Sequence, residues 1–553
     1  MEKRIFSAVL ISIGLLFLWG AVAPKLFPDM FKKPPASTSK TATTTATTTP
    51  TTTSPSAIPA NTTGATTTGA NAATVAIAPV AASSASVVTI DQTDFTAKLS
   101  NRGAQLVSFQ LKHFKAKDLG HVELVKAREP ARSDFPFAIE SANAELNRKA
   151  NTSLYHVADS VGAKGERVVE MRFSDGQVAV TKTFRFTNPY LFEFNVAVQP
   201  PLAYRVVIGP GIRTLDKEEK DNQFIITGNG VVQRDDNFKS IRREKASNIT
   251  PYDQVQYIGV EDNYFLTALR PTRSGGAMLR ASDFPGVKQG EKRREIYAGV
   301  NAAPDGVVAG SAFFGPKETK VVDAYGFERT LQFGMFGIIA RFFLIVLQRI
   351  NSFTHNYGFA IIVLTIFIKI ALYPLQHKWI VSMKKMQKMQ PKMEAIKARY
   401  KKSKTDAEQR QKMNTEMMQL YQKEGINPAG GCLPFVVQLP ILWGFYNLLT
   451  HAIELRGAPF ILWIHDLSMK DPYYITPALM TVTMFIQQAM TPTTGDAAQK
   501  RMFMIMPLVM GWIFKEFPSG VVLYWLMQNL LTILQQWIMN KYWKEHPDEL
   551  QKA

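Results

Sequence analysis

Cysteine is almost absent: Cys432 is the only one in 553 residues. That excludes a disulfide framework and any metal site built on a cysteine cluster. There is no His-Glu-x-x-His and no Gly-x-Ser-x-Gly, and His113, His121 and His156 are scattered, so no familiar hydrolase site is present. No nucleotide-binding motif occurs either, and no cofactor or metal is expected. Charge is missing from one long stretch: between Pro34 and Val88 the only charged residue is Lys40, and no aromatic stands between Phe31 and Phe95. Such Thr-, Ala- and Pro-rich chain buries too little apolar area to offset its ordering entropy, so residues 24–89 read as a disordered linker. Charge is also missing from several apolar runs in the last third. These exclude an ordinary soluble enzyme and argue for a polytopic membrane protein.

What charge there is lies unevenly, with 64 basic against 45 acidic residues and a net charge of +19. Met1-Glu-Lys-Arg4 precedes an apolar run that ends at Ala21-Val22-Ala23. Pro24 makes a poor cleavage junction, so residues 1–23 are expected to be an uncleaved anchor with its N-terminus in the cytoplasm. From 90 to 330 the pattern has period two. Val178, Val180, Phe184 and Phe186 share a face with Lys182 as the exception, and Phe192, Phe194, Val196 and Val198 resume after Asn188-Pro189. A large antiparallel sandwich outside the cytoplasm is expected, serving for binding or scaffolding rather than catalysis.

The remaining residues, 331–553, read as a helical membrane core. Arg341 and Arg349 divide the apolar segment 334–350, which is expected to lie in the outer interface. Spans are expected at 357–375, 432–450, 473–490, 502–515 and 517–540, which with the anchor makes six and leaves both termini in the cytoplasm. The polar segment 377–426 has thirteen basic residues against five acids, so it is a cytoplasmic helical hairpin broken around Lys401–Lys404. Methionines at 383, 386, 389 and 393 are answered by 413, 417 and 418, a stripe that packs the two arms or offers an adaptable apolar surface. Aromatics for stacking bases are nearly absent there, so no specific nucleic acid is expected. Only thirteen residues separate Arg501 from Lys515, a helix of about 20 Å against a hydrocarbon core of about 30 Å. Inside the first of these five spans sits Lys369, about 13 Å deeper along a straight helix than Lys378, with Thr365 on the same face. An intramembrane cation of this kind marks a wet, protein-lined cavity. Gln438, Gln488, Gln528, Asn529 and Thr532 either bond helices together or line that cavity. A solute transporter would favour an internal repeat, and none is found.

Several motifs then come together: Thr365-x3-Lys369-x3-Tyr373-Pro374-Leu375, Asn427-Pro428-x-Gly430-Gly431-Cys432-x-Pro434, and Ala458-Pro459-Phe460-x-Leu462-Trp463-Ile464-x-Asp466-Leu467. Asp471-Pro472-Tyr473-Tyr474 and Phe517-Pro518-Ser519-Gly520-x-x-Leu523-Tyr524 follow, and Phe314-Gly315-Pro316-Lys317 closes the outer domain. In these the chain resembles the YidC/Oxa/Alb family of membrane protein insertases, in the Gram-negative form with a large periplasmic domain. The resemblance implies a periplasmic all-β supersandwich, a five-helix core and a hydrophilic groove open to cytoplasm and lipid. It implies no enzymatic activity but insertion and folding of inner-membrane proteins, alone or with the Sec translocon. Lys369 stands where the family normally has arginine, which keeps the charge and loses the bidentate fork. Trp525 and Gln488 match a groove aromatic and a groove glutamine, and Thr365, Gln438 and Tyr524 complete the implied substrate groove. Implied partners are nascent integral membrane proteins, membrane lipid, and the Sec translocon with its accessory subunits. The ribosome and the signal-recognition receptor would meet the hairpin and tail.

Overall fold

Alternation decides the first half of the described chain. The computed structural model describes residues 78–553 apart from 117–119, 127–133, 164, 223, 286–291, 401–405, 424–432, 492–496 and 546–553. The anchor, nearly all of the linker, the hairpin break, the Asn427–Cys432 motif and the end of the tail therefore lie outside the described residues. In strand Ala179–Phe186, Val180, Lys182, Phe184 and Phe186 are buried, and strand Leu191–Gln199 buries Phe192, Phe194, Val196 and Val198. The register sets Phe184 against Phe194 and Phe186 against Phe192, so aromatic pairs stand on one face. These strands lie within an antiparallel sheet of nine that runs from Asn237–Ile241 at one edge to His156–Val161 at the other.

Two smaller sheets pack on that apolar face. The four-stranded one, Val87–Asp91, Phe95–Ser100, Gln105–Ala116 and Gly120–Glu123, brings Phe109 to 6.2 Å from Phe192 and 5.4 Å from Phe314. The five-stranded one is ordered Ile249–Tyr252, Ala277–Pro285, Lys292–Asn301, Arg205–Ile208 and Ala138–Glu140. Gly230 of the large sheet lets it approach, because a Cβ there would sit 2.8 Å from Leu279 and 3.3 Å from Ile296. Lys182 is the polar exception on the core face of strand Ala179–Phe186, and its Nζ donates to the carbonyls of Gly103 at 2.7 Å and Phe137 at 2.8 Å. The domain also begins ahead of the boundary expected at 90. Val87–Asp91 is a strand paired with Phe95–Ser100, and Val80 is bridged to Ser174. Val87, Val88 and Ile90 favour a strand, and a sheet edge supplies the backbone partners that composition cannot reveal.

The second half is helical: α1 (Gly337–Thr354), α2 (Tyr357–Ala371), α3 (Tyr373–Arg399), α4 (Ala407–Lys423), α5 (Leu433–His451), α6 (Ile475–Met490), α7 (Ala497–Phe514) and α8 (Ser519–Glu545). Of the described helices α1 alone is long and apolar enough to cross a membrane by itself, and α2 with α3 qualifies as a pair bent by 63°. That bend differs from the continuous span expected over 357–375. Pro374 sits in the first turn of α3, where it cannot donate a backbone bond to the preceding turn. Asn356 starts α2 by accepting from the Gly358 and Phe359 amides, while its own amide donates to the Phe460 carbonyl. Large apolar side chains remain exposed around the bundle, among them Phe367 and Ile370 on α2, Val482 on α6, Leu508 on α7 and Leu534 and Trp537 on α8. So much exposed apolar surface suits lipid rather than water.

Candidate functional site

Helix α8 carries Tyr524, Gln528, Thr532, Gln535 and Met539 at intervals of four, four, three and four, which places them on one stripe. α2 packs along it. Lys369 Nζ donates to Thr532 Oγ1 at 2.8 Å, and that hydroxyl donates to the Gln528 carbonyl at 2.7 Å. Gln528 Nε2 donates to Gln438 Oε1 at 3.4 Å, and Gln438 Nε2 donates to the Tyr524 hydroxyl. A single series of polar groups thus joins α2, α8 and α5.

Lys369 is only 8% exposed, and among the described residues no carboxylate pairs with it. A buried cation without a counter-ion loses hydration and recovers little of it. The bend after α2 also changes its depth: six residues of α3 tilted by 63° leave Lys378 about 9 Å beyond Lys369 along the α2 axis rather than 13 Å. The cation therefore sits closer to the basic edge of the hairpin than a straight helix would put it.

Among the expected site residues, Lys369, Gln438 and Tyr524 belong to this series. Tyr524 is buried with its ring stacked 4.3 Å from Phe445, so only its hydroxyl serves the polar side. Thr365 is buried one turn before Lys369 and donates to the Ile361 carbonyl of its own helix at 2.7 Å. Trp525 is half-buried against Phe514 at 5.2 Å and fastens α8 to α7. Gln488 lies on the last turn of α6, and among the described bonds its side chain joins none of the series. Sequence reasoning passed over Gln376, Gln535 and Gln536. The continuation of the α8 stripe at three- and four-residue steps was the available signal.

The motifs on the outer side are clasps. Asp471 accepts from the Thr476 and Tyr473 amides, and Trp463 Nε1 donates to it at 3.3 Å. Ser519 N donates to the Met469 carbonyl and Gly520 N to that of Leu467, pinning the 458–474 loop to the start of α8. The β-domain is clasped as well. Arg456, just beyond α5, pairs with Glu219 at 2.9 Å; Glu219 pairs with Arg213 at 2.6 Å; Arg213 pairs with Asp262. Asn263 Nδ2 donates to the Thr450 carbonyl at 2.6 Å.

Comparison with known proteins agrees with this architecture. Residues 87–346 match the family model of the YidC periplasmic domain, and residues 349–546 match that of the 60Kd inner membrane protein. The membrane protein insertase YidC of Geobacter metallireducens is 34% identical over 566 residues, covering 98% of this chain and 98% of its own. The chain belongs to the YidC family of membrane protein insertases. The YidC insertase of Geotalea uraniireducens is 32% identical over 562 residues, covering 98% of this chain and 99% of its own. Among solved structures, an active YidC insertase with the first transmembrane domain resolved covers 83% of this chain and 94% of its own, at 16% identity and a TM-score of 0.36. This member of the YidC family is an inner-membrane protein with a periplasmic β-domain, and the family is non-enzymatic.

Proposed function

We propose that the chain inserts nascent membrane proteins by receiving their polar tails in the groove between α2, α5 and α8. The observation that carries this is Lys369, nearly buried and unpaired by any carboxylate among the described residues, within a continuous polar series. Polar backbone entering hydrocarbon loses its water, which costs several kcal/mol per unsatisfied group. A hydrated groove reaching partway shortens the dry path. Lys369 attracts acidic residues in the tail, and the substrate's apolar segment moves into lipid along the exposed apolar faces of α2, α6 and α8. That partitioning supplies the driving force at about 25 cal/mol per Å² of apolar surface.

Short helices favour the same reading. α2 has 15 residues, about 22 Å of rise, and the apolar part of α7, Arg501–Phe514, is shorter still than a full hydrocarbon core requires. Lipid thins locally around such spans at fractions of a kcal/mol per Å. We place α1 in the outer interface, because Arg341 and Arg349 are exposed along it beside Ile338, Phe342, Ile345 and Phe353. The anchor and five core spans then give six, with both termini in the cytoplasm. The Sec translocon and its accessory subunits fit the membrane face, and the ribosome and signal-recognition receptor fit the basic hairpin and tail. Purified protein in liposomes should insert a small acidic-tailed membrane protein with no nucleotide and no other component. Insertion that strictly requires a second protein or nucleotide would contradict this.

A further inference from the structure

Two contacts define how α8 runs beside α2 and α3. Lys369 meets Thr532, and further toward the cytoplasm Ile380 and Val381 pack on Met539. Residue numbers rise together from the first contact to the second on both segments, so the two run in the same sense, with α3 tilted from α2 by 63°, and the residues between these contacts border one slot. From the α3 side the slot receives Gln376, one turn before Ile380; from α8 it receives Gln535, one turn before Met539. Gln376 is 9% exposed and Gln535 8% exposed. Gln376 Oε1 and both amide atoms of Gln535 have no hydrogen-bond partner among the described residues, and Gln528 Oε1 above them is in the same condition.

Buried amides left unpaired lose hydration that an apolar side chain of the same size never had, so packing gives no reason for glutamine here. Helix contacts in this region are served by other groups: Asn529 Nδ2 donates to Thr483 Oγ1 at 3.1 Å and Gln536 Nε2 to Thr491 Oγ1 at 3.2 Å. We infer that Gln376 and Gln535 form a subsite for the main chain of an extended substrate tail, on the cytoplasmic side of Lys369. A primary amide offers an acceptor and two donors, which match the C=O and N–H of an extended chain. Main-chain groups are the same in every substrate and must find partners once they leave water. The subsite therefore grips tails without reading their sequence, whereas Lys369 reads their charge. This inference rests on the groove reading above.

The test combines Gln376→Leu and Gln535→Leu in the full chain, reconstituted in liposomes, with one acidic and one uncharged tail as substrates and Lys369→Glu run in parallel. The expected result is a loss of about tenfold in insertion rate for both tails, the equivalent of one lost hydrogen bond, with thermal stability equal to wild type or higher. A fall in stability alongside the fall in insertion would make the glutamines structural and overturn the inference. Unchanged insertion by the leucine variant, while Lys369→Glu still blocks the acidic tail, would overturn the subsite and leave the groove reading standing. If neither variant changes insertion, the groove reading falls as well. A photoreactive benzophenone residue at 535 should capture the polar tail of a stalled nascent chain, and one at the lipid-facing Trp537 should not. No capture of the tail from 535 would also overturn the subsite.

Discussion

At the scale of single residues, two lysines depart from the patterns around them, and burial decides the consequence of each. Lys369 breaks an apolar span and finds one hydroxyl; Lys182 breaks an apolar strand face and finds two carbonyls. In the periplasmic domain, burial pushes the Lys182 ammonium down from the ordinary 10.5 to about 7. Between those values the unfolded chain binds the extra proton, so stability rises with pH across this window. Below about 7 both states are protonated, and the folded domain bears the full cost of the buried charge. Lys182→Met removes this slope. Thermal melts of the purified chain from pH 6 to 10 should show wild type gaining on the variant as pH rises, and parallel curves would contradict the assignment. The alternation of residues 178–186 showed Lys182 to be on the core face. It could not show the carbonyls of Gly103 and Phe137, which come from distant turns.

At the scale of elements, the Arg456–Glu219–Arg213–Asp262 network joins the β-domain to the loop after α5. Burial alone would raise the Glu219 carboxyl, but Arg213 and Arg456 outweigh it and hold it at about 2. The contribution of Glu219 is therefore present above the ordinary carboxylate range and is lost only as pH falls through about 2. Arg456→Ala leaves Glu219 paired with Arg213 but cuts the core's end of the network, at a cost on the order of 1.5–3 kcal/mol for a charge-assisted bond. Calorimetry of the variant should show the domain melting ahead of the membrane core, and an unaltered melting profile would show that the network does not couple them. The same scale shows what periodicity could and could not convey. Apolar run lengths put spans at 432–450, 473–490, 502–515 and 517–540, and the structure has α5 at Leu433–His451, α6 at Ile475–Met490, α7 at Ala497–Phe514 and α8 at Ser519–Glu545. The 63° bend after Ala371 escaped because Pro374 reads equally well as the end of a span or the first turn of a new helix. The methionine stripe was ambiguous in the same way: Met386, Met389 and Met393 pack on Met417, Leu420 and Tyr421, while Met418 stays 49% exposed.

For the whole molecule, the division of labour follows from where charge is buried and where it is screened. The β-domain encloses an aromatic core and docks on the outer ends of the helices, while the polar groups of the proposed groove lie on α2, α5 and α8. The span pattern pointed to the cation and to Gln438, Gln528 and Thr532, and resemblance added Tyr524. Which polar groups connect to Lys369 depends on how α8 rotates against α2, and a single chain's helical pattern does not specify that angle. The central claim is that the charge of Lys369 selects the tail, and a charge swap in liposomes tests it most directly. Insertion of one substrate would be measured with an acidic tail and with the same tail made basic, by wild type and by Lys369→Glu at equal protein levels. The account predicts that wild type inserts the acidic tail faster and that Lys369→Glu reverses the preference, because attraction and repulsion exchange places. An unchanged preference in the Glu variant would contradict it.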